Sequence, residues 1–154
     1  MPDAMIPVQV GSDAPPVPGV RFGDGPVGLF FYKVTCPTCQ LAAPTMAAFE
    51  RAYPGRVVGI GQDPQDVLEA FGEVHGMGVR SISDEPPYDV SNAYGIVSVP
   101  TLVVVDRDAI VLEAVGAWDR EGFNRASATI AGALDVDAAV ISEPSDGLPA
   151  FKPG

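Results

Sequence analysis

The chain contains two cysteines, and they lie three positions apart in the segment Cys36-Pro37-Thr38-Cys39. This segment directly follows an apolar run at residues 27–32, so the thiols come where a buried strand gives way to a helix. The unpaired N–H groups and the dipole of a helix N-terminus favour an anion, here the thiolate of Cys36. The spacing predicts disulfide exchange, in which Cys36 attacks and Cys39, about one turn deeper, resolves the mixed disulfide.

The composition of the chain argues against several classes of binding partner. The chain has 154 residues, of which 47% are apolar, so we expect a single domain with a sizeable core. Its formal charge of −11 opposes binding to nucleic acid or to anionic lipid. No apolar run approaches the ~20 residues that cross a bilayer, and residues 1–7 lack the features of a signal peptide. We predict a cytoplasmic protein without a membrane span, although a signal or anchor removed before residue 1 would leave the same sequence.

The elements that must position the thiols follow from hydrophobic periodicity and from helix and turn signals. The pattern predicts strands at 27–33, 56–61, 79–83, 101–105 and 110–115, and helices at 37–53, 64–76, 89–94 and 119–134. Pro37 fits the first turn of the first long helix, and Pro44 lies inside that helix and should bend it. Asp63 is predicted to cap the next helix, with Pro64 as its first residue.

This order of elements predicts an α/β sandwich with parallel central strands and an antiparallel edge. We predict an N-terminal extension with short strands at 1–26, one domain at 27–136, and a tail at 137–154 that is poorly ordered or draped over the domain. Parallel crossovers place helix N-termini beside the carboxyl ends of strands, where sites in open α/β sheets form. Cys36 falls at such a position.

A second motif precedes the most apolar strand of the chain. Val99 and Pro100 stand immediately before residues 101–105, where a proline cannot donate to a strand ladder and a cis bond would redirect the backbone. Taken with the dithiol and Pro44, this segment makes residues 27–134 resemble the thioredoxin fold. The resemblance implies a three-layer sandwich whose mixed sheet has a parallel core and an antiparallel C-terminal hairpin.

In the thioredoxin family the cis-proline loop packs against the dithiol and binds a polypeptide through its backbone. The resemblance therefore implies that Cys36 and Cys39 are catalytic. It assigns substrate binding to Pro37, Thr38, Val99 and Pro100. The implied activity is a thiol-disulfide oxidoreductase that acts on a protein or small disulfide and exchanges electrons with an unidentified reductant or oxidant. The redox-active Cys36–Cys39 disulfide would take the place of a cofactor.

The stretch between Cys39 and Pro100 is longer than in small thioredoxins and carries the additional helix and strand at 63–83. This insertion is similar to that of the redoxin branch, which includes the TlpA-like and ResA-like reductases and the peroxiredoxins. Peroxiredoxins place a proline seven and a Thr or Ser three positions before the peroxidatic cysteine. Before Cys36 these positions hold Leu29 and Lys33, so the pattern disfavours a thiol-dependent peroxidase. The pattern fails before Cys39 as well.

Two further alternatives concern the dithiol itself. A non-catalytic redox or binding module could keep the fold and use the dithiol weakly. Two cysteines at this spacing are also half of a common zinc site, but no second pair exists and the single His75 is remote in sequence, so we predict no metal.

The proton that must leave Cys39 has no obvious acceptor in the sequence. Phe30 occupies the position at which small thioredoxins carry a buried acid, and Ala42 the position at which TlpA-like proteins often carry one. Glu50, Asp63 and Asp106 are the candidate substitutes, although each is more simply explained as a solvated charge or a cap.

Overall fold

A computed structural model describes residues 7–154 of the chain. Its order of elements follows the hydrophobic pattern closely. The strands are β1 (Val27–Tyr32), β2 (Val57–Gly61), β3 (Ser81–Ser83), β4 (Thr101–Val105), β5 (Val111–Gly116), β6 (Trp118–Asp119) and β7 (Phe151–Lys152). The helices are α1 (Pro37–Ala52), α2 (Gln65–Val74), α3 (Asp89–Ala93) and α4 (Arg120–Leu134), with 3-10 turns at Phe22–Asp24 and Pro144–Asp146.

Five strands form one mixed sheet in the order β3-β2-β1-β4-β5. The strands β1, β2 and β3 are parallel, whereas β4 runs antiparallel to β1 and forms a hairpin with β5. All six residues of β1 are buried, as expected of an apolar run at the centre of a sheet covered on both faces. The predicted parallel core and antiparallel C-terminal hairpin are confirmed.

The side chains of β1 alternate between two cores, because successive residues of a strand point to opposite faces of the sheet. Phe30 and Tyr32 pack among the apolar residues of α1, α2 and α4. Leu29 and Phe31 pack on the other face, with Val90 of α3 and with the N-terminal segment. The molecule is therefore a three-layer sandwich, and the carboxyl end of its central strand leads directly into the dithiol.

The N-terminal part differs from the prediction. Between residues 7 and 26 the structure has no strand, but only an isolated bridge between Asp13 and Ile110 and the 3-10 turn at Phe22–Asp24. Repeated prolines explain this, because each removes a backbone donor that a strand ladder needs. The part of the prediction that concerns residues 1–6 lies outside the described residues.

The start of α2 also differs from the prediction. Pro64 occupies the N-cap position, so the helix begins one residue later than expected, at Gln65. The Asp63 carboxylate accepts a hydrogen bond at 3.0 Å from the backbone N–H of Val34, in the loop that follows β1. Asp63 thus stabilises the approach to the dithiol and makes no side-chain cap for α2.

The tail at 137–154 lies against the domain. Its first part is held by a buried network in which the Ala139 N–H donates to the Tyr53 hydroxyl at 2.8 Å. The hydroxyls of Tyr53 and Ser127 are hydrogen-bonded at 2.7 Å, and Ser127 donates to the Ala139 carbonyl at 2.6 Å. Its last part pairs β7 with β6, which places Lys152 opposite Trp118. Across residues 7–154, no helix combines the length and the apolar character needed to span a bilayer.

Tyr53→Phe should lower the free energy of unfolding by about 1–3 kcal/mol, because it leaves the Ala139 N–H without its buried acceptor and removes the hydroxyl that is hydrogen-bonded to the Ser127 oxygen. Urea denaturation followed by circular dichroism measures this loss. The matched control is Tyr88→Phe, since the Tyr88 hydroxyl makes no hydrogen bond within residues 7–154. Equal stability of the two variants would contradict the assigned role of the network.

Candidate active site

The turn between β1 and α1 presents the two cysteines at the carboxyl edge of the sheet. Cys36 is the N-cap residue of α1, and Pro37 is its first helical residue, where the missing proline N–H costs nothing. The Cys36 N–H donates to the Lys33 carbonyl at 3.1 Å. The Gln40 side chain donates to the Val34 carbonyl at 2.9 Å, so the loop that carries Cys36 is held from both sides.

The two sulfurs have different surroundings. Cys36 is half-buried and Cys39 is 0% exposed, and both thiols are free. The Cys39 N–H donates to the Cys36 sulfur at 3.1 Å. Burial raises the pKa of Cys39 well above its ordinary value, and a hydrogen bond between its thiol and the Cys36 side chain acts in the same direction. At neutral pH, Cys39 is therefore a protonated, shielded thiol beneath an accessible one.

The loop before β4 closes the other side of the site. The peptide bond between Val99 and Pro100 is cis. The Cys36 thiol donates to the Val99 carbonyl at 3.6 Å, and the Ala117 N–H donates to the Pro100 carbonyl at 2.9 Å. Pro100 is buried and Val99 is half-buried. The structure thus brings the two loop residues that the sequence singled out to the dithiol, more than sixty positions away along the chain.

The two residues between the cysteines differ in exposure. Pro37 is exposed, whereas Thr38 is only 3% exposed and its hydroxyl donates to the Pro153 carbonyl at 2.7 Å. Of the predicted substrate-binding residues, Val99 contacts the Cys36 sulfur, whereas Thr38 is hydrogen-bonded to the tail. Sequence reasoning missed the tail as a neighbour of the site, since residues 149–154 form a short segment that contains two prolines and shows no periodicity.

The three carboxylates considered as proton acceptors all accept backbone hydrogen bonds, as caps do. Glu50 binds the N–H of Gly55, and Asp106 binds those of Asp108 and Ile110. Asp63 binds that of Val34. Phe30, which occupies the position of the buried acid of small thioredoxins, lies in the apolar core.

The hydroxyl of Tyr32 lies near both Asp63 and Cys39. The Tyr32 side chain is fully buried, and its hydroxyl is hydrogen-bonded to that of Ser81 at 2.6 Å. Burial raises the pKa of Tyr32 to about 12, and the charge of Asp63 acts in the same direction. The neighbourhood of Cys39 thus contains a protonated phenol. In the part of the chain that the structure describes, no group of three or more His, Cys, Asp or Glu side chains could hold a metal ion.

The sandwich and the dithiol at the head of α1 define a thioredoxin-like protein of the redoxin branch. The model of the AhpC/TSA family matches residues 19–114, which include β1 to β4, both cysteines and the cis-proline loop. The chain belongs to the AhpC/TSA family. No curated protein matches the sequence.

Solved structures share the fold at low sequence identity. The thioredoxin domain of a thiol-disulfide oxidoreductase from Bacteroides vulgatus has a TM-score of 0.69 at 17% identity, over 80% of this chain and 99% of that one. A thiol:disulfide interchange protein of the thioredoxin family from Chlorobium tepidum has a TM-score of 0.63 at 19% identity, over 80% and 98%. A secreted Mycobacterium tuberculosis disulfide oxidoreductase, homologous to Escherichia coli DsbE, has a TM-score of 0.53 at 22% identity, over 62% and 70%.

Iodoacetamide should alkylate Cys36 and spare Cys39 in native buffer near neutral pH, because Cys39 is buried and its raised pKa keeps it protonated. Peptide mapping by mass spectrometry measures the modified fraction of each cysteine. In urea both cysteines should react, which serves as the control for reagent and digestion. Equal modification of the two thiols in native buffer would disprove the difference in their surroundings.

Proposed function

We propose that the protein is a thiol-disulfide oxidoreductase whose redox centre is the pair Cys36 and Cys39. The observation that carries this proposal is the difference between the two thiols, one half-buried and hydrogen-bonded by a backbone N–H, the other buried and protonated. An accessible nucleophile above a shielded resolving thiol is the arrangement that disulfide exchange needs. Structural neighbours whose names describe thiol-disulfide oxidoreductases add support.

The exchange has two steps. In the first, the Cys36 thiolate attacks one sulfur of a substrate disulfide, a mixed disulfide forms, and the other substrate sulfur leaves as a thiolate. In the second, Cys39 loses its proton and attacks the Cys36 sulfur. The Cys36–Cys39 disulfide then forms and the remaining substrate sulfur leaves. Two electrons pass to the substrate, and a second dithiol returns them by the reverse steps.

The four predicted substrate-binding residues support a disulfide-containing substrate. Pro37 offers an exposed apolar surface beside the nucleophile, and Thr38 offers a hydroxyl donor. Val99 offers a backbone carbonyl at the edge of the site, with Pro100 buried behind it. Donors and acceptors of this kind suit the main chain of a polypeptide. The physiological electron partner is a dithiol or disulfide, and the Cys36–Cys39 pair would serve in place of a bound cofactor.

Membership of the AhpC/TSA family favours a thiol-dependent peroxidase as the second candidate. The residues around the dithiol argue against it. Leu29 is fully buried in the core on the face opposite α1, and Lys33 is exposed, so neither position supplies the proline or hydroxyl that peroxiredoxins place before the peroxidatic cysteine. A non-catalytic module with the same fold is the third candidate, and the same assays separate it from the enzyme.

The full chain should accelerate the reduction of insulin disulfides by dithiothreitol, followed as turbidity. Cys36→Ser should lower the catalysed rate by at least about two orders of magnitude, because the attacking thiol is lost. Cys39→Ser should also lower the rate, because the mixed disulfide no longer resolves within the protein and is released only by attack of dithiothreitol. If the wild-type rate equals those of both variants, the protein is a non-catalytic module.

A trapping experiment provides the internal control for these variants. Cys39→Ser keeps the nucleophile and should accumulate a covalent complex with the insulin chain, visible on a non-reducing gel and lost on adding dithiothreitol. Cys36→Ser should form no such complex. A complex with Cys39→Ser alone therefore distinguishes a loss of chemistry from a loss of folding.

Hydrogen peroxide should be consumed no faster by the reduced chain than by the Cys36→Ser variant, since the position three before Cys36 holds Lys33 and offers no hydroxyl to orient a peroxide. Peroxide loss in the presence of dithiothreitol, followed by a colorimetric assay, measures this rate. If the wild type consumes hydrogen peroxide much faster than the variant, the protein is a thiol-dependent peroxidase.

A further inference from the structure

The last residues of the tail run along the exposed side of β6 towards the dithiol. The Trp118 indole N–H donates to the Pro149 carbonyl at 2.7 Å. The Arg120 N–H donates to the Ala150 carbonyl at 3.0 Å. Pairing of β7 with β6 then carries the chain on in an extended conformation as far as Lys152. Residues 149–154, which we name the strap, are thus held in one direction and register.

The end of the strap contacts both sides of the candidate active site. The Pro153 carbonyl accepts the hydrogen bond of the Thr38 hydroxyl at 2.7 Å. The next residue, Gly154, lies against the Val99–Pro100 peptide so closely that a Cβ added to it would overlap the Val99 carbonyl oxygen. Thr38 and Val99 are two of the residues proposed to bind substrate, and one short extended segment occupies both.

The strap is held weakly compared with the rest of the tail. Phe151, its largest side chain, is 58% exposed, and Pro149, Ala150, Pro153 and Gly154 are exposed as well. The strap is held chiefly by backbone-directed hydrogen bonds at the surface. A segment with many exposed hydrogen bonds and little apolar burial opens at low cost. Residues 139–142, by contrast, are tied to Tyr53, Ser127 and Asn124.

We propose that the strap is an intramolecular competitor that occupies the polypeptide-binding side of the dithiol site, so that a protein disulfide must displace it before it reacts. This inference rests on the proposed function and assigns a regulation to the same site. Cys36 stays half-buried with the strap in place, and the strap contacts lie at Thr38 and Val99, beside the sulfur. The strap therefore slows polypeptides and leaves small reagents largely unaffected.

Two variants weaken the strap without altering the dithiol. One lacks residues 149–154, and the other is Gly154→Ala, whose added Cβ collides with the Val99 carbonyl. The matched control is Gly132→Ala, the same substitution at a position of α4 with nothing within 4 Å of the added Cβ. A synthetic peptide of residues 147–154, compared with a scrambled peptide, tests whether the strap acts when supplied separately.

We expect the shortened chain to reduce insulin with a kcat/KM about tenfold higher than the full chain, while the rate of Cys36 alkylation by iodoacetamide changes less than about twofold, since only the fraction competent for polypeptide binding increases. Gly154→Ala should raise the insulin kcat/KM by a smaller factor and leave the alkylation rate nearly unchanged, and Gly132→Ala should change neither. The synthetic peptide should lower the insulin rate of the shortened chain. Unchanged insulin rates in both strap variants, or equal increases for insulin and iodoacetamide, would overturn the inference.

A binding readout separates this inference from the proposed function. In a variant with both cysteines replaced by serine, the Trp118 indole N–H reports on the strap by nuclear magnetic resonance, because its hydrogen-bond partner is the Pro149 carbonyl. Carboxymethylated insulin B chain should shift this resonance towards its position in the shortened chain. If the resonance shifts but the wild type does not reduce insulin, competition between the strap and a polypeptide is supported and the proposed exchange activity is contradicted. No shift shows that polypeptide and strap do not compete, and the inference is then wrong.

Discussion

The hydrogen bond from the Cys39 N–H to the Cys36 sulfur is the contact on which the site depends. The first turn of any helix has backbone donors without partners, and a side chain usually satisfies one of them. Here the capping atom is the nucleophilic sulfur. One interaction therefore begins α1 and orients Cys36. Its position is secured because β1 is buried along its whole length and because Ala42, Met46 and Phe49 anchor α1 in the core.

Ionisation of Cys36 removes one of the two hydrogen bonds of its sulfur and strengthens the other. A protonated thiol can donate to the Val99 carbonyl and accept from the Cys39 N–H at once. A thiolate has no proton to donate, so only the bond from Cys39 remains, and charge-assisted hydrogen bonds are the stronger kind. Loss of the proton thus strengthens the contact with α1 and frees the Val99 carbonyl for another donor. The form of Cys36 that reacts is also the form that leaves the loop available.

Much of this architecture could be predicted because it is encoded locally. The apolar run of β1, the proline at the first position of α1 and the β-branched run of β4 each define an element without reference to the rest of the chain. The short distance between Cys36 and Val99 followed from the resemblance to a known fold. Asp63 could not be placed in the same way, because its partner, the Val34 N–H, comes from a different element.

The tail marks the limit of prediction from sequence. Its contacts join residues far apart in the chain, such as Trp118 with Pro149 and Thr38 with Pro153, and no periodic pattern encodes such pairs. A strand of two residues, Phe151–Lys152, is too short to show the alternation by which strands are recognised. Its largest side chain is also exposed, so hydrophobicity gives no signal either.

The burial of Cys39 has a kinetic consequence for any partner attached covalently at Cys36. The attached partner leaves only after Cys39 has lost its proton, and an apolar interior opposes that loss whichever partner is bound. Burial of Cys39 therefore slows the release of every partner, whatever its fit to the site.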